Sequence, residues 1–175
     1  KISRIFMKNA YTGKNYSNLE ISKSLEKFNI NSEKVSPQQV GELVSKGKVI
    51  AWFDGNSEFG PRALGHRSIV ADPRKENMKR YLNSSIKVRE GYRPYAPSIL
   101  EDYYKEWLEL DIESPFMLLL PKVKKDKRDL IPAVTHIDYT TRPQTVNLNE
   151  QGNYYKMILS FYNITGVPLV LNTSF

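Results

Sequence analysis

The chain has 175 residues, which fits one domain or slightly more. Apolar residues make up 40% and aromatic residues 11%, too many for a disordered chain, and no stretch approaches the roughly 20 apolar residues of a membrane span. Lys and Arg number 26 against 19 Asp and Glu, for a net charge of +7, and the absence of cysteine excludes disulfides, thiolate metal sites and cysteine nucleophiles.

The opening KISRIFMKNA lacks an initiator Met and the long apolar run of a signal peptide, and the chain ends on the apolar run LVLNTSF. The expectation is a piece of a longer cytoplasmic protein. Residues 1–15 read as irregular. Ser17 with Glu20 makes a capping-box pattern, and Ile21, Leu25 and Phe28 then share a helical face. A second helix starts at Ser36 and Pro37, with Gln39 completing the box, Val40, Leu43 and Val44 as its stripe, and Gly47 as its stop.

Val49–Phe53 lacks polar alternation and is expected as a central strand. After the polar, glycine-rich segment 54–65, Ser68–Ala71 reads as a strand. Asp72-Pro73 opens a helix over 74–86 that buries Met78, Leu82 and Ile86. Pro94 and Pro97 forbid a helix through RPYAPS. A strand follows at Ser98–Leu100, then a short helix over 101–110 and an apolar strand at Phe116–Leu120. VKKDKRDL reads as a solvated loop. Further strands are expected at Ala133–Ile137, Gln144–Leu148 and Val167–Leu171. Between the last two lies a helix over 154–164 that buries Tyr154, Met157, Ile158 and Phe161. Helices and strands interleave, which predicts an α/β domain or a mixed-sheet α+β domain with both faces covered.

The location of the charge carries more than its sum. Lys122, Lys124, Lys125, Lys127 and Arg128 lack interleaved aromatics and read as a solvated face rather than a nucleic-acid footprint. Arg62, Arg67, Arg74, Arg89, Arg93 and Arg142 instead sit beside glycine, proline or hydroxyl residues at strand edges. A guanidinium binds phosphate or carboxylate bidentately, so arginines converging from separate loops would make an anion pocket. The competing reading pairs each with a nearby acid: Glu58, Asp72, Glu90 or Asp138. No standard phosphate loop is present. His136-x-Asp138 is a weak metal pattern, and His66 is far from it in sequence.

The run EFGPRALGHRSIVADPR over 58–74 is followed, in order, by Asn83, Lys87-x-Arg89-Glu90 and Tyr92-Arg93-Pro94-Tyr95-Ala96-Pro97. Then come His136-x-Asp138, Thr140-x-Arg142-x-Gln144-Thr145-Val146, Gly166-Val167-Pro168 and Leu171-Asn172-Thr173-Ser174-Phe175. Over residues 49–175 this text resembles the carboxy-terminal domain of the O-carbamoyltransferases. The resemblance implies a YrdC/Sua5-like twisted sheet with helices packed on it, spanning 36–175 and cut short at its end. Residues 1–35 would be a linker and helical lead-in from a missing amino-terminal Kae1-like domain.

The implied activity is formation of carbamoyl adenylate from carbamoyl phosphate and ATP. Mg²⁺ is expected on the ATP phosphates, and a further metal ion only in the missing domain, where the carbamoyl group passes to a substrate hydroxyl. The matching motifs assign Arg62, Lys87, Arg93 and Arg142 to catalysis and phosphate binding. Asn172 and Ser174 line the nucleotide site, with Arg67 and Arg89 in support. Three features depart from the family pattern. Gly55-Asn56-Ser57-Glu58 stands where the family reads GRMEFGPRALG, His66 replaces an asparagine, and the text stops at Phe175 where the family continues. The alternative expectation is a nucleic-acid-binding module that uses the basic surface.

Overall fold

In the computed structural model, which describes residues 7–175, both capping boxes start helices where the sequence places them. Helix α1 covers Asn18–Lys27 and α2 covers Pro37–Ser45. The two differ in burial. Val40 and Val44 of α2 enter the core, whereas α1 buries none of its residues: of its expected stripe, Ile21 and Phe28 are exposed and Leu25 is half-buried. Helix α2 packs on the long helix α5, Gly152–Thr165. At Gly41 the helices approach so closely that a Cβ would lie 2.5 Å from the Met157 carbonyl.

Among the described residues five strands form one mixed sheet: β1 Ile50–Phe53, β2 Arg67–Ala71, β3 Ala96–Leu100, β4 Gln144–Val146 and β5 Leu169–Thr173. Their order is β1-β2-β5-β3-β4, antiparallel except for the β3–β4 pair. The register puts Trp52, Ser68, Val70, Asn172, Ala96, Ser98 and Gln144 on one face. Tyr154 of α5 meets that face at Trp52, with ring centroids 5.8 Å apart. Tyr154, Met157, Ile158 and Phe161 are all buried, as the periodicity predicts. This mixed sheet flanked by helices is consistent with the YrdC/Sua5-like architecture.

Several expectations are corrected. The Val49–Phe53 strand is at the sheet edge, not its centre, since among the described residues β1 pairs only with β2. Its aromatic run has a local use instead: Phe53 carries the Arg67 guanidinium 3.6 Å above its ring. The helix over 74–86 shortens to α3, Glu76–Tyr81, followed by a π-helical turn at Leu82–Ile86 that leaves Ile86 exposed. The helix over 101–110 is the single turn α4, Tyr104–Trp107.

Phe116–Leu120 is not a strand. Met117 has φ +55°, prolines flank the run, and Leu118 and Leu120 point to solvent. Ala133–Ile137 folds into turns closed by local bonds such as Thr135 N–H to the Ile131 carbonyl, and Ile137 is fully exposed. The lysine tract is also less free than expected. Val123 is buried and bridges Leu108, Lys122 bridges Thr140, and Lys125–Leu130 form a 3₁₀ helix with Arg128 stacked 4.1 Å over Tyr139.

Candidate functional site

On the α5-facing side of the sheet, buried amides hold the neighbouring glycine-rich loop. Asn172 Nδ2 donates to the Ala63 carbonyl at 3.0 Å and to Ser98 Oγ at 2.9 Å. Gln144 Nε2 donates to the Leu64 carbonyl at 2.7 Å, and its Oε1 accepts from Ser98 Oγ at 2.8 Å. From the loop itself, Glu58 Oε1 accepts the N–H groups of Leu64, Arg67 and His66 at 2.7, 3.1 and 3.3 Å. A fourth anchor is Tyr11, whose hydroxyl donates to the Leu64 carbonyl at 2.8 Å. Gly65 follows at φ +93°, where a Cβ would lie 2.5 Å from the Tyr154 ring, so the loop closes onto α5 only through glycine. With its polar backbone satisfied in this way, the loop is a rigid mount for Arg62.

Arg62 lines a cavity of about 120 Å³ together with Arg89, Arg142, Asn172, Thr173 and Ser174, walled by Tyr95 and Met117. Among the described residues no carboxylate lines it. Arg89 reaches it from the residues after the π turn, a feature that recurs at functional sites. Its Nε donates to Asn83 Oδ1 at 2.9 Å, and its guanidinium lies 4.3 Å over the Tyr95 ring, whose hydroxyl donates to the same Asn83 oxygen at 2.7 Å. Arg142 comes from the loop before β4, behind Thr141, which is buried and bonded to the Val134 carbonyl. The Arg142 Nε is buried with no partner among the described residues. Burial first, and then the charge of Arg62, hold the Arg142 guanidinium below its ordinary range. Lys87 sits alongside, with Nζ donating to the Ser174 carbonyl at 2.5 Å, and burial followed by the charge of Arg89 depresses it likewise.

The cavity thus gathers Arg62, Arg89, Arg142, Asn172 and Ser174, with Lys87 bound to Ser174. Two assigned residues lie elsewhere. Arg67 lies outside the cavity lining and donates to the carbonyls of Asp54, Gly55, His66 and Lys14, which makes it a brace for the loop. Arg93 is exposed and pairs with Glu90 at 3.5 Å. Arg74 is bound to buried Asp72 at 2.8 Å. So the acid-pairing reading describes Arg74 and Arg93, whereas Glu58 serves backbone amides and Asp138 serves Thr140.

Nothing in residue type or spacing singles out Tyr11, Ser98 or Met117, and Gln144 stands out only as part of a motif. Polar residues inside apolar strands are the signal that could have found Ser98 and Gln144. His66 also does more than its departure from pattern suggests: it stacks on Tyr11 and bonds the Asn56 carbonyl at 2.6 Å through Nδ1. A second cavity of about 300 Å³ lies across Leu64, but Glu101, Glu113 and Glu150 line it, which makes it a poor place for a phosphate.

Among the described residues no three His, Asp or Glu side chains group to hold a metal ion. His136 and Asp138 are joined instead through the Thr140 hydroxyl, which accepts from His136 Nδ1 at 3.1 Å and donates to Asp138 at 2.7 Å. The cavity offers Mg²⁺ no carboxylate, so the residues present do not fit a protein-held Mg²⁺. Among the described residues no helix is long and apolar enough to cross a membrane.

The sequence model described as Carbamoyltransferase C-terminus matches residues 41–175. Nodulation protein NolNO of Sinorhizobium fredii is 50% identical over 140 residues, covering 78% of this chain and 21% of that protein. Nodulation protein NolO of Bradyrhizobium diazoefficiens is 44% identical over 137 residues, covering 77% and 25%. The protein MJ1051 of Methanocaldococcus jannaschii is 40% identical over 184 residues, covering 100% and 36%. The chain therefore belongs to the carbamoyltransferase family and corresponds to its carboxy-terminal part. It spans between 21% and 36% of the length of these three relatives.

Proposed function

We propose that this domain binds carbamoyl phosphate and ATP at the Arg62–Arg89–Arg142 cavity and forms carbamoyl adenylate. The carbamoyl group is then transferred to a hydroxyl in an amino-terminal domain of the longer protein. One observation carries the reading: among the described residues three guanidinium groups share a cavity with no carboxylate, and one keeps a buried N–H unpaired. An unpaired buried donor beside a like charge is unfavourable in the empty protein, and a bound phosphate oxygen removes both penalties.

The cavity volume of about 120 Å³ admits a phosphate group and leaves the rest of a nucleotide outside, along Lys87 and Ser174. Water first adds to the phosphorus of carbamoyl phosphate, and the bond from phosphorus to the bridging oxygen breaks. Carbamate leaves with the electron pair, and the inorganic phosphate keeps both protons of the water. A carbamate oxygen then attacks the α-phosphorus of ATP. The bond from that phosphorus to the bridging oxygen breaks, and pyrophosphate leaves with the electron pair. Both reactants are anions, and Arg62, Arg89 and Arg142 offset their repulsion and the charge that gathers on the leaving group. Asn172 holds the Ala63 carbonyl and so keeps the neighbouring Arg62 in place. No step needs a general base from the cavity, whose ionisable side chains, apart from the phenol of Tyr95, are all guanidinium groups.

The test is release of pyrophosphate from ATP by the full-length protein, dependent on carbamoyl phosphate, with Arg62→Ala and Arg142→Ala as controls. Carbamoyl-phosphate-dependent pyrophosphate that disappears in both variants supports the reading. Its absence from the full-length protein, or its persistence in both variants, overturns it.

A further inference from the structure

We propose that Tyr11 is a positioning residue for the anion cavity, fixing the loop that presents Arg62 through a strap made by residues 10–14. The inference rests on the reading of the cavity as an anion site. The strap precedes the 41–175 family match, and its composition reads as irregular lead-in. In the fold it runs against the start of the glycine-rich loop. Phe59 N–H donates to the Ala10 carbonyl at 2.7 Å, Gly13 N–H to Ser57 at 2.9 Å, and Ser57 N–H to Lys14 at 3.1 Å. The Ala10 side chain shares a small apolar cluster with Leu64, Ala96 and Met117, the last of which walls the cavity.

Tyr11 acts at the centre of this strap. Its ring lies flat on the His66 imidazole, with centroids 3.6 Å apart and planes at 11°. Its hydroxyl donates to the Leu64 carbonyl and accepts from Gln151 Nε2 at 2.6 Å. Burial raises the phenol above its ordinary range, so the hydroxyl keeps the proton that it donates. The Leu64 carbonyl takes its second bond from Gln144 and the Ala63 carbonyl takes one from Asn172. Strap, β4 and β5 therefore each hold one point of the two residues that follow Arg62. Without the Tyr11 hydroxyl, the Leu64 carbonyl is held from the sheet side alone, and Arg62 loses its fixed position opposite Arg142.

The experiment is a double-mutant cycle read by calorimetric titration of pyrophosphate into the 175-residue chain. The four proteins are wild type, Tyr11→Phe, Arg62→Ala and the double variant. Phenylalanine keeps the stack on His66 and removes only the hydroxyl. Tyr11→Phe is expected to weaken binding about fivefold in the presence of Arg62 and not at all in its absence. A general loss of packing would instead weaken both backgrounds alike.

Gln151→Leu loosens the same hydroxyl from outside the loop and gives a second route if Tyr11→Phe fails to fold. Its loss of affinity is expected to be smaller and again to require Arg62. Equal losses in both backgrounds, or no loss from either substitution, overturn the positioning role while leaving the cavity reading intact. A wild-type chain that binds no pyrophosphate overturns the cavity reading itself.

Discussion

Arg142 sits beside Arg62 with its Nε buried and unpaired among the described residues, and the repulsion between the two adds to the cost of burial. Two like charges held together without an acid between them are poor structural engineering and good anion chemistry. Arg142→Met keeps the volume of the aliphatic stem and removes the charge. The expected result is a ligand-free chain with a higher Tm and at least tenfold weaker pyrophosphate binding, read by thermal unfolding and by titration.

The loop behind Arg62 depends on one carboxylate. Glu58 Oε1 takes three backbone N–H groups, and Glu58→Ala leaves those of Leu64, His66 and Arg67 without it. A destabilisation of about 2 kcal/mol is expected in urea unfolding. Hydrogen exchange at the Leu64 and His66 amides should quicken more than exchange within α5, whose bonds do not involve Glu58.

Gly65→Ala meets two obstacles at once: the backbone at φ +93° and the Tyr154 ring 2.5 Å from the new Cβ. The expected cost is about 2 to 4 kcal/mol, since a positive φ and overpacking add. Gly91 serves as control, because a Cβ there meets nothing within 4 Å and its φ lies outside the strained region. Gly91→Ala should leave the urea midpoint within a few tenths of a molar of wild type.

Burial holds His136 below its ordinary value of 6.5. As pH falls through about 6.5, the unfolded chain therefore takes up this proton before the folded chain does, and stability falls with it. His136→Gln is expected to flatten that part of the profile between pH 7.5 and 5.5 (about one unit either side of 6.5). Urea unfolding at the two values reads the difference. Losses at lower pH, where Asp138 and Asp126 are held below their ordinary range by hydrogen bonds to Thr140 and Lys127, should remain in the variant.

Helices α2 and α5 were legible because their determinants are local. A serine and a glutamine three residues apart close the α2 cap by themselves, and the apolar stripes of both helices recur every three or four residues whatever else the chain does. The same locality misled at Phe116–Leu120 and Ala133–Ile137, where apolar character alone suggested strands. A strand needs a partner, and at those positions none of the five strands takes one up. The capping box of α1 was equally legible, but whether its apolar residues would be covered was not.

The site divides along the same line. Residue chemistry by itself marked the dispersed arginines as a set apart from the lysine tract, because glycine, proline and hydroxyl neighbours are visible in the text. Which of them meet was decided by the tertiary structure alone. Arg62, Arg89 and Arg142 arrive from three separate segments, while Arg67, only five positions from Arg62, turns to loop carbonyls and Arg93 to Glu90. The reason is that capping and periodicity depend on residues three or four apart, whereas convergence depends on bonds such as Asn172 to Ala63, across 109 positions. Only the folded sheet brings such partners within reach.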